Sequence, residues 1–171
     1  MIQAKENQRI TLTKRLISEA LISLLGDKNI RRISIRELCA KAGVNRSTFY
    51  NHYGSQYDVL DEISAAFLED IGKTIKTGEH MVLVLRYFDD NLNLSRLLIN
   101  NIIDSTFSER LFSLPKIQEL LDSNNITGHA EKQFIIHGSY QLLRDWINSD
   151  TRVSAESQTE LILTLANKVC K

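Results

Sequence analysis

ISIRELCAKAGVNRSTFYNHY, residues 33–53, holds two helices and the turn between them. Ser34 and Glu37 stand three residues apart ahead of an apolar run, the spacing of a capping box. The Ser34 hydroxyl would accept from the Glu37 amide, and the Glu37 carboxylate would reach back to the Ser34 N–H. Ile33 and Leu38 fall where a hydrophobic staple belongs. The pattern predicts a helix from Ile35 to about Ala42, stopped by Gly43, because glycine turns left-handed at little cost. Asn45 is a good N-cap for the next helix, and Val44 with Phe49 forms a second staple. Phe49 and Tyr53 lie one turn apart and face inward. Arg46, Ser47, Thr48, Tyr50 and His52 are left on the other faces. Gly54-Ser55 ends this helix, and Ser55 caps the one after it.

Upstream, residues 1–10 are polar and read as a loose arm, with helical periodicity from near Thr11. Leu16, Ile17, Ala20, Leu21, Leu24 and Leu25 draw one apolar stripe that ends at Gly26. Such a stripe can cover the two short helices, giving a three-helix helix-turn-helix unit whose last helix enters a major groove. Downstream, a long fourth helix is expected over about Gln56–Ile75, with Tyr57, Leu60, Ile63, Ala66, Phe67, Leu68 and Ile71 at its apolar positions. It would connect the two halves of the chain. Further helical stretches are expected at about 80–90, 94–103, 106–112, 115–123, 129–148 and 155–170. The fold class is therefore all-α, with a helix-turn-helix domain over 1–60, helix four continuing as a connector to about 76, and a helical domain over 77–171. Lys76–Glu79 is the expected boundary.

Only one proline and seven glycines occur in 171 residues, which favours long helices over strands and tight turns. The formal net charge is zero, yet its distribution is uneven. Residues 1–60 carry ten Lys/Arg and five Asp/Glu, or +5; residues 61–171 carry eleven and sixteen, or −5. A basic first third on an acidic remainder is expected where one end meets a polyanion. Cys39 and Cys170 form neither a CxxC pair nor a disulfide framework, and Cys39 reads as a core thiol where helix two meets helix three. The polar start is unlike a signal peptide, and no apolar run reaches the roughly 20 residues of a membrane helix. A cytoplasmic protein without membrane association is expected. An enzyme is not: there is no glycine-rich phosphate loop, no GxSxG and no HExxH. His52, His80, His129 and His137 lack metal-ligand spacing, and Asp89-Asp90 suits a solvated helix end. Neither cofactor nor metal is expected.

The segment Thr11–Leu60 resembles the DNA-binding domain of the TetR/AcrR family of transcriptional regulators. The resemblance rests on the apolar positions of helix one, the Ser-Ile-Arg-Glu-Leu entry to helix two, Ala42-Gly43-Val44, Thr48-Phe49-Tyr50, Tyr53, Ser55 and Leu60. It implies a sequence-specific DNA-binding regulator, a homodimeric repressor controlled by a small-molecule effector and acting on an inverted-repeat operator in double-stranded DNA. Ser34, with the amides of Ile35 and Arg36, would face a phosphate. Arg46, Ser47 and Thr48, after their cap Asn45, would reach base edges. The resemblance implies phosphate or sugar contacts for Tyr50 and His52. Where the family usually has a lysine after the serine that opens helix four, this chain has Gln56. At Tyr53 the family more often has Phe. The alternative is a TetR-like protein that works through a protein partner, as a co-regulator or activator with weak or no DNA binding.

The stretch FIIHGSYQLLRDWI, residues 134–147, is apolar on more than one side. Together with the last helix it suits a dimeric four-helix bundle. The expected seam holds Phe134, Ile135, Gly138, Leu142, Trp146, Leu161 and Leu165, with Gly138 and Ser139 allowing close approach; the alternative is that they all pack inside one subunit. FxxxG followed by a tryptophan resembles the Firmicutes-type C-terminal domain whose branch includes regulators of dihydroxyacetone kinase operons. A small-molecule effector, if one binds, would meet Tyr87, Phe88, Phe107, Phe112, Tyr140 and Trp146, although aromatics at helical spacing more often build a core.

Overall fold

A computed structural model describes residues 2–75, 80–102, 106–123 and 128–169. Ten α-helices follow in order: α1 (Ile2–Leu25), α2 (Ile35–Ala42), α3 (Arg46–Tyr50), α4 (Gln56–Thr74), α5 (His80–Asp90), α6 (Leu92–Asn101), α7 (Thr106–Phe112), α8 (Pro115–Ser123), α9 (His129–Asn148) and α10 (Ala155–Val169). Among the described residues there is no strand, and no helix is long and apolar enough to cross a membrane. The chain divides into two compact units, Met1–Ala65 and Ala66–Lys171. The boundary expected at Lys76–Glu79, like Cys170, lies outside the described residues.

In the first unit, α1 buries Ile17, Ala20, Leu21, Leu24 and Leu25, while Leu16 stays at the rim, 36% exposed. The helix starts at Ile2, not near Thr11. The polar opening is no loose arm, because Gln, Ala, Lys, Glu and Arg are good helix formers and no Gly or Pro interrupts them. Thr11 joins this helix by donating its hydroxyl to the Asn7 carbonyl at 2.9 Å. Between α1 and α2 the charged connector contains a 3-10 turn, Ile30–Arg32, capped by the Asn29 side chain. Ile30 and Ile33 from this segment are both buried, so the connector is anchored to the core.

The start of α2 carries the expected capping box, with Lys28 added to it. The Ser34 hydroxyl accepts from the Glu37 amide at 3.2 Å. The Glu37 carboxylate takes the ammonium of Lys28 and also accepts from the Ser34 backbone N–H, the return bond of the box. That bond to Lys28, assisted by its positive charge, holds the Glu37 carboxyl below the usual carboxylate range. At the other end of α2, Gly43 has φ +69°, the left-handed region.

In the second unit, Phe67 packs against Tyr87 and Phe88 at 5.1 and 5.2 Å between ring centroids, and Phe107 lies 6.4 Å from Tyr140. Phe88, Phe107 and Phe112 are buried. The aromatics expected to line an effector site thus serve largely as core. A cavity of about 30 Å³ touches Phe112, Ile117, Ile135 and Ile162, room for about one water. The end of α9 is fastened by Arg96, whose Nε donates to the Ile147 carbonyl at 2.8 Å, and by the Trp146 indole N–H, which donates to the Val153 carbonyl at 2.9 Å.

The turn at Gly43 yields a direct test. No neighbouring atom stands within 4 Å of the place a β-carbon would occupy, so Gly43→Ala introduces strain without a clash. The expected loss is about 1–2 kcal/mol, read as a lower midpoint in urea unfolding. An unchanged midpoint would mean the turn does not need its left-handed geometry.

Candidate nucleic-acid interface

The α3 helix is only five residues long, and each residue has a distinct duty. Asn45 caps it: its side-chain oxygen accepts from the Thr48 amide and from the Ser47 hydroxyl, each at 2.7 Å. Phe49 is fully buried, and Tyr53, one turn on, is buried as well. Their rings lie 5.7 Å apart. The Tyr53 amide donates to the Phe49 carbonyl at 3.0 Å, so the last turn runs on as far as Tyr53. With its back fixed, α3 presents Arg46 and Ser47 to solvent, with Thr48 half-buried. Tyr50 is 56% exposed and stands edge-on to Phe49 at 5.5 Å. His52 is half-buried beside Tyr53.

Ser34 and Arg36 are exposed at the start of α2, with Ile35 half-buried between them. Asn45 is exposed too, and Gln56, half-buried, is the first residue of α4. Among the described residues, neither Arg36 nor Arg46 is held in an ion pair. Cys39 lies buried in α2, and burial pushes its thiol up against the opposing charge of Arg46. A buried thiol held protonated is a packing residue, not a nucleophile.

One feature beside Gln56 was not read from the sequence. Asp58 grips the turn before α4, with its two oxygens accepting from the Gly54 amide and the Ser55 hydroxyl, each at 2.7 Å. The Ser55 hydroxyl in turn caps the Asp58 amide at 3.4 Å. The Ser55 bond first, and then the Gly54 bond, hold the Asp58 carboxyl below its usual range. The signal was present as Ser-x-x-Asp, the spacing of a capping box.

The face expected to form a seam divides in two. Phe134, Leu161 and Leu165 are 65%, 45% and 40% exposed. Gly138 is exposed, with no neighbouring atom within 4 Å of a β-carbon position. Leu142 is half-buried. Ile135 and Trp146 are buried inside the unit: Ile135 still lines the groove on this face, while Trp146 is turned inward with its indole N–H satisfied. The exposed residues border an open groove of about 470 Å³ between α9 and α10, with Gly138, Leu142 and Leu165 in its lining.

Comparison with known proteins agrees with this architecture. Residues 17–63 match the family described as bacterial regulatory proteins, tetR family. The chain is 20% identical to the uncharacterized HTH-type transcriptional regulator YxbF of Bacillus subtilis, over 89% of this chain and 44% of that protein. It is 27% identical to DhaS of Lactococcus lactis, an HTH-type transcriptional activator of the dhaKLM operon, over 65% of this chain and 59% of that protein. The chain spans about half the length of the curated relatives it matches. A TetR transcriptional regulator from Streptococcus agalactiae has the same fold, with TM-score 0.81 and 23% identity over 96% of this chain and 98% of that one. Capped α2, the left-handed turn at Gly43 and the buried back of α3 all lie within residues 17–63, the segment that matches the tetR family of bacterial regulatory proteins.

Proposed function

We propose that the chain is a sequence-specific DNA-binding transcriptional regulator that acts in the cytoplasm as a homodimer on an inverted repeat. The observation that carries this reading is the α3 helix, capped by Asn45 and pinned by Phe49, with Arg46, Ser47 and Thr48 turned away from the core. Those side chains are of the kinds that read base edges: guanidinium for guanine, hydroxyls for several partners. Ser34, Arg36, Tyr50, His52 and Gln56 would hold the register through phosphate and sugar. The two recognition helices of a dimer would enter major grooves about 34–36 Å apart. Footprinting on a genomic promoter is the test. A symmetric pair of protected half-sites is expected; a single asymmetric half-site, or no protection at low salt, defeats the proposal.

Helix four begins with an uncharged residue where a phosphate contact would sit. Gln56→Lys should strengthen DNA binding with little change in sequence preference, because phosphate contacts position and do not specify. Asp58 would not neutralise the new lysine, since its oxygens are engaged by Gly54 and Ser55 and residues two apart on a helix point away from each other. The slope of log affinity against log salt should steepen by about 0.9 per subunit, about 1.8 per dimer. A salt titration on operator and scrambled duplex reads this; an unchanged slope means Gln56 does not face the backbone.

The second copy is proposed to cover the groove around Gly138. A β-carbon there meets no neighbouring atom within 4 Å and the position is exposed, so Gly138→Arg should leave the monomer folded while burying an unpaired charge at the seam. Sedimentation should show monomers at micromolar concentration, and operator affinity should fall about a hundredfold as the two half-sites lose their linkage. A variant that remains dimeric refutes this seam.

A second reading is favoured by one observation. The middle-helix aromatics pack on one another, leaving the neighbouring cavity near the size of a water. Such a core favours control through a protein partner over a small-molecule effector bound in this cavity. A thermal shift with any member of a broad metabolite panel would favour the effector.

A further inference from the structure

Behind the recognition helix, three segments of the first unit meet at one ammonium group. Lys14, on α1, places its Nζ 2.6 Å from Glu62 Oε2 on α4. The same nitrogen stands 5.3 Å from the centroid of the Tyr53 ring. Tyr53 is bonded through its amide to the Phe49 carbonyl, so its position is tied to the last turn of the recognition helix. Lys14 and Glu62 are each only partly buried, and an ion pair of that kind alone adds little to stability. Its location gives it another consequence.

The Tyr53 hydroxyl is buried, with the Glu62 carboxylate and the Ser18 side chain beside it. Burial, and then the carboxylate of Glu62 close by, push this phenol up to about 12. Without a cation the Glu62 carboxylate would stand uncompensated beside the Tyr53 phenol. Lys14 neutralises Glu62 and sits over the ring face, where a cation is attracted. A five-residue helix has little of its own to fix its orientation, so whatever holds Tyr53 also sets how Arg46, Ser47 and Thr48 are aimed.

We propose that Lys14 is a positioning residue for the recognition helix, its ammonium clasping the Tyr53 ring and the Glu62 carboxylate so that the end of α3 and the first turns of α4 keep one relative placement. The role rests on the DNA-binding reading of α3 but requires no contact between Lys14 and DNA. Two consequences follow from the geometry. Removing the cation should disturb α3 because Glu62 is then left uncompensated beside Tyr53, and removing the carboxylate as well should relieve that disturbance. A phosphate-binding lysine would behave differently, since its loss cannot be repaired by changing Glu62.

The experiment compares wild type with Lys14→Met, Lys14→Arg and the double variant Lys14→Met/Glu62→Gln, with thermal melts to confirm folding. Affinity is measured for operator and scrambled duplex across a salt series. Amide hydrogen exchange at His52 and Tyr53, both bonded to the Phe49 carbonyl, is measured without DNA. Lys14→Met should lower operator affinity about tenfold, with the scrambled duplex and the salt slope unchanged. The two amides should exchange about tenfold faster. Lys14→Arg should match wild type, and the double variant should recover most of both losses. Equal losses on both duplexes with a slope shallower by about 0.9 per subunit would make Lys14 a phosphate contact and overturn the proposal. Unchanged exchange in Lys14→Met, or no recovery in the double variant, would overturn it too. If wild type fails to prefer its operator, the DNA-binding reading fails, and exchange alone still decides whether Lys14 positions α3.

Discussion

A helix of five residues cannot hold itself together in water. Its first turn fixes several backbone angles for one hydrogen bond, so nucleation is unfavourable and short helices persist only by packing. An N-cap such as Asn45 contributes about 1 kcal/mol, no more than the ~1–2 kcal/mol needed to fix the backbone of a single residue. The helix Arg46–Tyr50 therefore depends on burial of Phe49, which has no exposure at all, and on Tyr53 behind it. Gly43 sets the approach of the chain, Asn45 sets the first turn, and Phe49 sets the depth. Arg46, Ser47 and Thr48 owe their outward direction to those three positions, none of which faces the way they do.

Charge in the first unit is arranged to the same end. The +5 over residues 1–60 stands beside acids that are already engaged by near neighbours. Glu37 holds Lys28 and Glu62 holds Lys14, while Asp58 spends its oxygens on the Gly54 amide and the Ser55 hydroxyl. Arg36 and Arg46 are exposed. Carboxylates tied to near neighbours repel a polyanion less than free ones would, and guanidiniums without a protein partner keep their fork of donors available. Acids near a basic face are thus compatible with binding DNA when each has a short-range duty.

Much of this unit was legible because its signals are local. Ser34, Gly43, Asn45 and Ser55 act on residues two to four positions away, and the Leu/Ile stripe of α1 has a clear period. Contacts over longer stretches of sequence were not legible. Glu37 adds to its capping position a bond to a lysine nine residues earlier, and the sequence shows only the first. Lys14 and Glu62, 48 residues apart, meet only once the fold brings α1 and α4 together. The polar start of α1 was misjudged for another reason. A segment without an apolar stripe gives no periodicity, yet with good helix formers it can extend a helix already nucleated by packing.

The second unit sets a harder problem, which α9 illustrates. Its sequence is apolar on several sides, and period alone cannot say which side meets its own core. Phe134 and Ile135 are neighbours, yet one is 65% exposed and the other 5%. Trp146, the largest apolar side chain of the helix, is drawn inward because its indole N–H finds the Val153 carbonyl, a partner that a dimer seam need not supply. Size therefore misleads, while the glycine does not: at Gly138 no neighbouring atom fills the space a side chain would take. Glycine weakens a helix interior relative to alanine. A glycine facing outward beside exposed Phe134 and Leu165 finds no close neighbour for a β-carbon, which is why the proposed seam is placed there and not at Trp146.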